Sequence, residues 1–243
     1  MKTSMIACLS LTAFLPFQIK AQVTHRTPSF QTPEEERKYF VSKLEDQVVI
    51  AEYAKNDPDH LIRSTALRLL IDRILLADVA QNSKFADARR KAVLKMDDQN
   101  QAVLEALAKN DDDGFVRGLA VAKITNQLLI QEIAKDDADP SVRHGAIIQI
   151  TDQTFLRDIV KSDEIDDLRL TAAIKLNDQA FVAEIAQKGA DVFVRQRAVQ
   201  SLADKTLLAD LAKNDKDEGV RSEANRKLVE LQKKSEEEKN KEE

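Results

Sequence analysis

The chain has 243 residues, of which 33% are charged and 5% aromatic, with no Trp, five Gly and five Pro. So few aromatic residues and turn formers argue against an all-β fold and for helices. The formal net charge is −5, with Lys and Arg interspersed among Asp and Glu. No basic excess is present to neutralise a phosphate backbone, so nucleic acid is not an expected partner.

Residues 1–21 differ from all that follows. Lys2 supplies a positive start, Met5 to Phe17 is mostly apolar, and Ile19-Lys20-Ala21 ends in a small residue. This layout predicts a secretory signal peptide cleaved before Gln22, and hence a periplasmic or secreted protein. The apolar run is broken by Ser10, Thr12 and Pro16 and is shorter than the ~20 residues that span a bilayer, so no membrane span is expected after cleavage. Cys8, the only cysteine, lies inside this leader. Met5-Ile6-Ala7-Cys8 faintly resembles a lipoprotein cleavage site, but the apolar stretch before it is too short. A mature chain without cysteine has no disulfide, thiol nucleophile or cysteine-bound metal.

Residues 22–33 read as a polar lead-in. Thr32-Pro33-Glu34-Glu35 then combines an N-cap, a proline suited to the first turn and a capping glutamate, which predicts a helix from about Pro33. From here to residue 231 the chain repeats. Arg63, Arg89, Arg117, Arg143, Arg169, Arg195 and Arg221 are separated by 26, 28, 26, 26, 26 and 26 residues, and one further step back reaches Arg37. Three residues after each comes alanine, from Ala66 to Ala224, and seven after comes an aliphatic residue or Met96. With the apolar residue that often precedes the arginine, these positions share one face at 3.6 residues per turn, so the segment is a short amphipathic helix. Asp59, Asp113, Asp139, Asp191 and Asp217, four residues before the arginine, are placed as its N-caps, whereas Phe85 and Ile165 stand there in two repeats.

A second helix follows in each unit. Asp46, Asp72, Asp98, Asp152, Asp178 and Asp204, often followed by Gln, are placed as its N-caps, and units end at Lys-Asn-Asp or a variant. One such pair buries too little apolar surface to stand alone, so the pairs should stack into a cooperative array. The remaining residues, 232–243, form a charged tail without an apolar stripe, read as a frayed or disordered end.

Steps of the form Asp139-Pro140-Ser141-Val142-Arg143 with Ala146 resemble the HEAT-like repeats of bacterial proteins. The resemblance covers about residues 34–230. It implies an all-α fold, a right-handed α–α superhelix of about seven and a half two-helix repeats with a concave helix face, and commonly protein–protein binding. A 26-residue unit is shorter than the ~40 residues usual for HEAT. Leucine-rich variant repeats, which alternate α and 3₁₀ helices, are the structural alternative.

Two polar ladders and one variable face are the candidate functional features. The arginine ladder is expected to be structural, each guanidinium bonding the aspartate and carbonyls of the preceding turn. On the alternate helices, carboxylates such as Glu52, Asp78 and Glu132 precede Lys or Gln by three residues and suggest a solvated charged face. The variable positions one, two, five and six residues after the arginine hold Arg90, Lys91, Lys95, Lys123, His144, Gln149, Lys175, Gln196, Arg197 and Gln200, the candidate binding face. Phe115 and Phe193, beside helix starts, are expected to pack. His25, His60 and His144 are scattered, the five glycines are isolated, and no catalytic, cofactor-binding or metal-binding residues are assigned. The expected function is an exported, non-catalytic scaffold for an unidentified protein partner, of undetermined oligomeric state. The alternatives are an enzyme accessory subunit or lyase-like HEAT enzyme, and a self-associating mechanical protein of the envelope.

Overall fold

A computed structural model describes residues 29–242, with side chains through residue 237. The signal peptide, Cys8, Gln22 and His25 lie outside the described residues. Among those described there are fifteen α-helices, one short 3₁₀ turn and no strand. Contacts divide the chain into two compact units at Met96–Asp97, within the span read above as one array.

The first unit holds α1 (Pro33–Val41), α2 (Gln47–Asn56), α3 (His60–Leu69), α4 (Arg73–Asn82) and α5 (Ala86–Lys95). The second opens with the 3₁₀ turn Asp98–Asn100, then α6 (Gln101–Asn110), α7 (Gly114–Val121), α8 (Gln127–Asp136), α9 (Pro140–Gln149) and α10 (Gln153–Ser162). It closes with α11 (Asp166–Leu176), α12 (Gln179–Lys188), α13 (Val192–Ser201), α14 (Lys205–Asn214) and α15 (Glu218–Glu242). The odd-numbered helices from α3 onward carry the repeated arginines. Each packs against the even-numbered helix before it, and within each unit successive arginine helices also pack side by side.

Cap chemistry sets most helix starts. The carboxylates of Asp46, Asp72, Asp152, Asp178 and Asp204 accept backbone N–H groups at the starts of the alternate helices. Those of Asp59, Asp113, Asp139 and Asp191 do so for arginine helices. Phe85 and Ile165 occupy the cap position with no side-chain bond. Asn126, which the column of aspartates does not contain, caps α8. Asp98 departs from expectation: it lies inside the 3₁₀ turn, Asp97 caps that turn, and Asn100 precedes α6 without a side-chain cap bond. The reason is the 28-residue step between Arg89 and Arg117. Its two extra residues are taken up by this turn, at the junction between the units.

The alanine three residues after each arginine is buried in every repeat from Ala66 to Ala224, and its small size lets neighbouring helices approach closely. Four residues after the arginine, Leu67, Val93, Val121, Ile147, Ala173 and Val199 are also buried. In α15 the same position is Asn225, which is exposed and donates to the Arg221 carbonyl at 3.0 Å. The last described repeat is therefore polar where the others continue the core.

The charged tail does not fray at residue 232. Helix α15 runs unbroken to Glu242, because it has no Gly or Pro after its first turn and is rich in Glu and Lys, which favour helix. The pair Lys227–Glu230 at 2.9 Å adds i,i+3 support. At the other end, the Thr32 hydroxyl accepts from Glu35 N at 3.1 Å and Glu35 accepts from Gln31 N at 2.9 Å. Phe30 stacks there on Tyr39 with centroids 5.2 Å apart, covering the start of the first unit.

Candidate functional site

The arginine ladder reaches in two directions. One Nη donates to the carbonyl six residues back, in the turn that precedes the helix. The distances are 2.8 Å from Arg63 to Asp57, 3.0 Å from Arg89 to Ser83 and 2.9 Å from Arg117 to Asp111. The same bond is 2.8 Å from Arg143 to Asp137, 3.1 Å from Arg195 to Gly189 and 2.8 Å from Arg221 to Asp215. The carboxylate partner comes from ahead, not from that turn. Arg37 meets Asp57 at 2.6 Å, Arg117 meets Asp137 at 2.8 Å, Arg195 meets Asp215 at 3.4 Å and Arg143 approaches Asp163 at 3.9 Å. The expectation that aspartate and carbonyls share one preceding turn is corrected accordingly: the carboxylate lies twenty residues later and belongs to the next helix pair.

That aspartate has two tasks. Asp57, Asp137, Asp163 and Asp215 each also accept the backbone N–H two residues on, at 2.8–2.9 Å, which closes their own turn. Burial alone would raise the Asp137 carboxyl. The hydrogen bonds from Arg117 and from Asp139 N, with the charges of Arg117 and Arg143, outweigh burial and hold it below the usual carboxylate range.

The twentieth residue ahead is not an acid for Arg63 and Arg169, nor for Arg89, where the longer step puts Lys109 there. For Arg63 it is Ser83; Arg63 instead pairs with Asp87 at 2.7 Å and lies 3.8 Å from the centre of the Phe85 ring. For Arg169 it is Gly189; Arg169 instead bonds the Val160 carbonyl at 2.8 Å, pairs with Asp166 at 3.0 Å and stacks over Phe181. Gly189 cannot be replaced cheaply, since a Cβ there would sit 2.8 Å from the Ile185 carbonyl oxygen and 3.2 Å from Arg195 Cγ.

A glutamine clamp forms a further set of ties. Gln127 donates to the Gln149 carbonyl at 3.3 Å and accepts from Thr151 N and Thr151 Oγ1, both at 3.1 Å. Gln47, Gln101 and Gln179 make equivalent bonds to the turn 22–25 residues ahead. A primary amide carries both a donor and an acceptor, so it stands in for a missing backbone peptide at the end of a helix. The signal was the glutamine that follows Asp46, Asn100, Asn126 and Asp178, which sequence reasoning left without a role.

The charged ladder of the alternate helices also crosses between pairs. Lys55 meets Asp78 at 2.7 Å and Lys109 meets Glu132 at 2.6 Å, whereas within one helix Lys55 and Glu52 stand 3.6 Å apart. The hydrogen bond raises Lys55 and lowers Asp78 from their ordinary values.

Several residues of the candidate binding face hold neighbouring helices. Lys95 Nζ donates to the Leu70 carbonyl at 2.6 Å, Gln149 Nε2 to the Val121 carbonyl at 2.7 Å, and Lys175 Nζ to the Ile148 carbonyl. Each closes the carbonyl end of the preceding arginine helix, where backbone acceptors lack partners and a cation is favoured. Arg197 grips the Asp167 carboxylate and the Thr171 hydroxyl, tying α13 to α11. Beside it His144 is half-buried, and its imidazole is pushed down by burial and by the Arg197 charge, against the opposing pull of Asp167. Arg90 and Lys91 on α5, Lys123 in the turn after α7 and Gln196 on α13 are half-buried, and Gln200 is exposed. His60 is exposed on α3, 3.9 Å from Asp59.

What the polar reading of this face missed is apolar. Two residues before the arginine, Phe115 is 71% exposed and Phe193 74%, so neither packs as expected. On α9 Ile148 is 52% exposed, and a Cβ built on Gly145 would meet nothing within 4 Å. Leu119 of α7 and Ile174 of α11 are half-buried on the same outward side. At 100° per residue the positions two before, two after and five after the arginine point away from its buried side. At these positions of α7, α9 and α11, Phe115, Leu119, Gly145, Ile148 and Ile174 make an apolar strip that is broken by Ser141, Asp167 and the buried Thr171. Reading those columns for hydrophobic letters as well as polar ones exposes the strip in the sequence.

Compared with family models, curated proteins and solved structures, the chain matches none. Among the described residues no cluster of three or more His, Cys, Asp or Glu is placed to hold a metal ion, and no helix is long and apolar enough to cross a membrane.

Proposed function

We propose that this chain is an exported, non-catalytic scaffold of HEAT-like repeats that binds a partner protein through the outward face of its arginine helices. In this reading the described helices belong to a right-handed α–α superhelix of about seven and a half two-helix units, with the arginine helices on the concave side. The packing supports that placement: in the second unit the arginine helices lie against their successors, while the alternate helices approach theirs far less. Helices that crowd on one side and splay on the other curve toward the crowded side. Export rests on the leader pattern of residues 1–21.

The observation that carries the binding function is the apolar strip. Phe115 and Ile148 are exposed, and a Cβ at Gly145 would meet nothing within 4 Å. An exposed apolar patch with a polar rim is the anatomy of a protein-binding surface. The test is mild cross-linking in the native cell envelope, followed by capture of tagged residues 22–243, in parallel with the Phe115→Asp variant. One dominant partner, lost in the variant while its circular dichroism and melting temperature are retained, is the expected result. Recovery of the bait alone, or equal recovery of the same partner by both chains, counts against the reading.

A further inference from the structure

We infer that the joint between α10–α11 and α12–α13 is a hinge on which α12 and α13 swing against α10 and α11, and that Arg197 is its latch; the inference goes beyond the scaffold reading and does not depend on what the scaffold binds. Three ties recur at the joints between successive helix pairs of the second unit. They are the glutamine clamp, the reach from arginine to aspartate, and a donor six residues after the arginine that bonds a carbonyl near the end of the arginine helix before. Between α6–α7 and α8–α9 these are Gln101, Arg117 with Asp137, and Gln149. Between α8–α9 and α10–α11 they are Gln127, Arg143 with Asp163, and Lys175. Between α12–α13 and α14–α15 the first two remain, as Gln179 and as Arg195 with Asp215. At the joint between α10–α11 and α12–α13, none of the three forms among the described residues.

Each loss has a local cause. Asn177 ends α11 in the left-handed region. Its N–H donates to the Ile174 carbonyl at 3.0 Å and that of Asp178 to the Ala173 carbonyl at 2.9 Å, so the helix end closes on itself and offers Gln153 no N–H. Gly189 stands where Arg169 would meet an aspartate. Ser201 stands where the two repeats before carry Gln149 and Lys175, and its short side chain donates to the Arg197 carbonyl of its own helix at 3.3 Å. Helices α11 and α13 also pack less extensively on each other than do α9 and α11 or α13 and α15. Two side chains still cross the joint. Arg169 lies 4.7 Å from the centre of the Phe181 ring, and Arg197 binds the Asp167 carboxylate and the Thr171 hydroxyl. The Thr171 hydroxyl in turn donates to the Asp167 carbonyl at 2.7 Å, which fixes the latch on α11. Stacked repeats are held by contacts between neighbours, so a joint without three recurring ties opens more readily than those beside it.

Residues 22–243 contain no cysteine, so paired cysteines introduced there can carry nitroxide labels without background. Thr154→Cys with Thr206→Cys spans this joint and the one after it, and Ala102→Cys with Thr154→Cys spans the two joints before it. All three sites are exposed at the second position of an alternate helix. Two helix spacings set the labels ~20 Å apart in both pairs, within reach of pulsed electron double resonance. Distance distributions are recorded for both pairs in the otherwise unchanged chain, in Arg197→Gln and in Ser201→Lys, which restores the missing donor. The distribution across the joint should be about twofold wider than that of the control pair. Arg197→Gln should widen it further and leave the control unchanged, whereas Ser201→Lys should narrow it. Equal widths for the two pairs overturn the hinge, and so does an Arg197→Gln effect that is the same in both pairs or absent from both. If the melting curve shows Arg197→Gln unfolded, Ser201→Lys decides: narrowing across the joint alone supports the hinge, and no change overturns it.

Discussion

Arg117 holds Asp137 through two parallel hydrogen bonds, Nε to Oδ2 and Nη2 to Oδ1, each 2.8 Å long. The side chains are 14% and 7% exposed, and the pair joins α7 to the turn before α9. Removing one partner of such a pair leaves a charge in a poorly solvated place. Arg117→Ala should therefore lower stability by about 3 kcal/mol, and Arg117→Lys should recover little, because an ammonium cannot reproduce the fork. Arg221 has its carbonyl bond and, among the described residues, no helix pair follows it, so Arg221→Ala should cost less than ~1 kcal/mol. Urea unfolding of the three variants checks this; equal losses at Arg117 and Arg221 would refute the ladder as a tie between pairs.

The same pair makes stability depend on pH. Asp137 is held below the usual carboxylate range in the folded chain, so it binds its proton less readily there than in the unfolded chain. Its contribution is complete above the unfolded value of ~3.9 and is lost as pH falls through the depressed folded value. Unfolding free energies of the wild type and Asp137→Asn should differ near neutral pH and converge below about pH 4. A gap that stays constant into that range would contradict the assignment.

The glutamine clamp has an internal control. Gln127→Ala removes bonds to the Gln149 carbonyl and to Thr151 and should cost about 1–2 kcal/mol. Gln153, at the equivalent place on α10, has only a 3.5 Å contact with Arg157 in its own helix. Gln153→Ala should change the unfolding midpoint little.

Asn177 ends α11 in the left-handed region, with φ of 54°. Its side chain also accepts from Gln179 at 3.2 Å. Asn177→Ala should cost about 1 kcal/mol, because a Cβ is disfavoured there without that local bond. Asn177→Gly should be close to neutral. Thermal melts of both variants separate a backbone requirement from a side-chain one.

Asn225 interrupts the buried column that runs from Leu67 to Val199. Asn225→Val should place an apolar side chain on the open end of the last repeat and promote concentration-dependent association. Sedimentation velocity on the two chains decides it. A variant that stays at the wild-type sedimentation coefficient over a wide concentration range would show that this position does not cap the array.

Local chemistry was legible in the sequence. Helix spacing, the buried alanine column and most N-caps require only residues within two turns of one another, so a 26-residue period displays them directly. Tertiary structure decided the rest. A column of arginines shows that a residue recurs but not which way its side chain reaches. Only stacking revealed that Arg117 looks forward to Asp137, and that Ser83 and Gly189 divert Arg63 and Arg169. Lys175 and Arg197 looked like free surface because their partners, the Ile148 carbonyl and Asp167, lie a whole repeat away in sequence. Phe115 and Phe193 looked like packing residues because apolar letters beside a helix start do not reveal which neighbour covers them. Exposure depends on all the helices around a side chain at once, and no local pattern contains that sum.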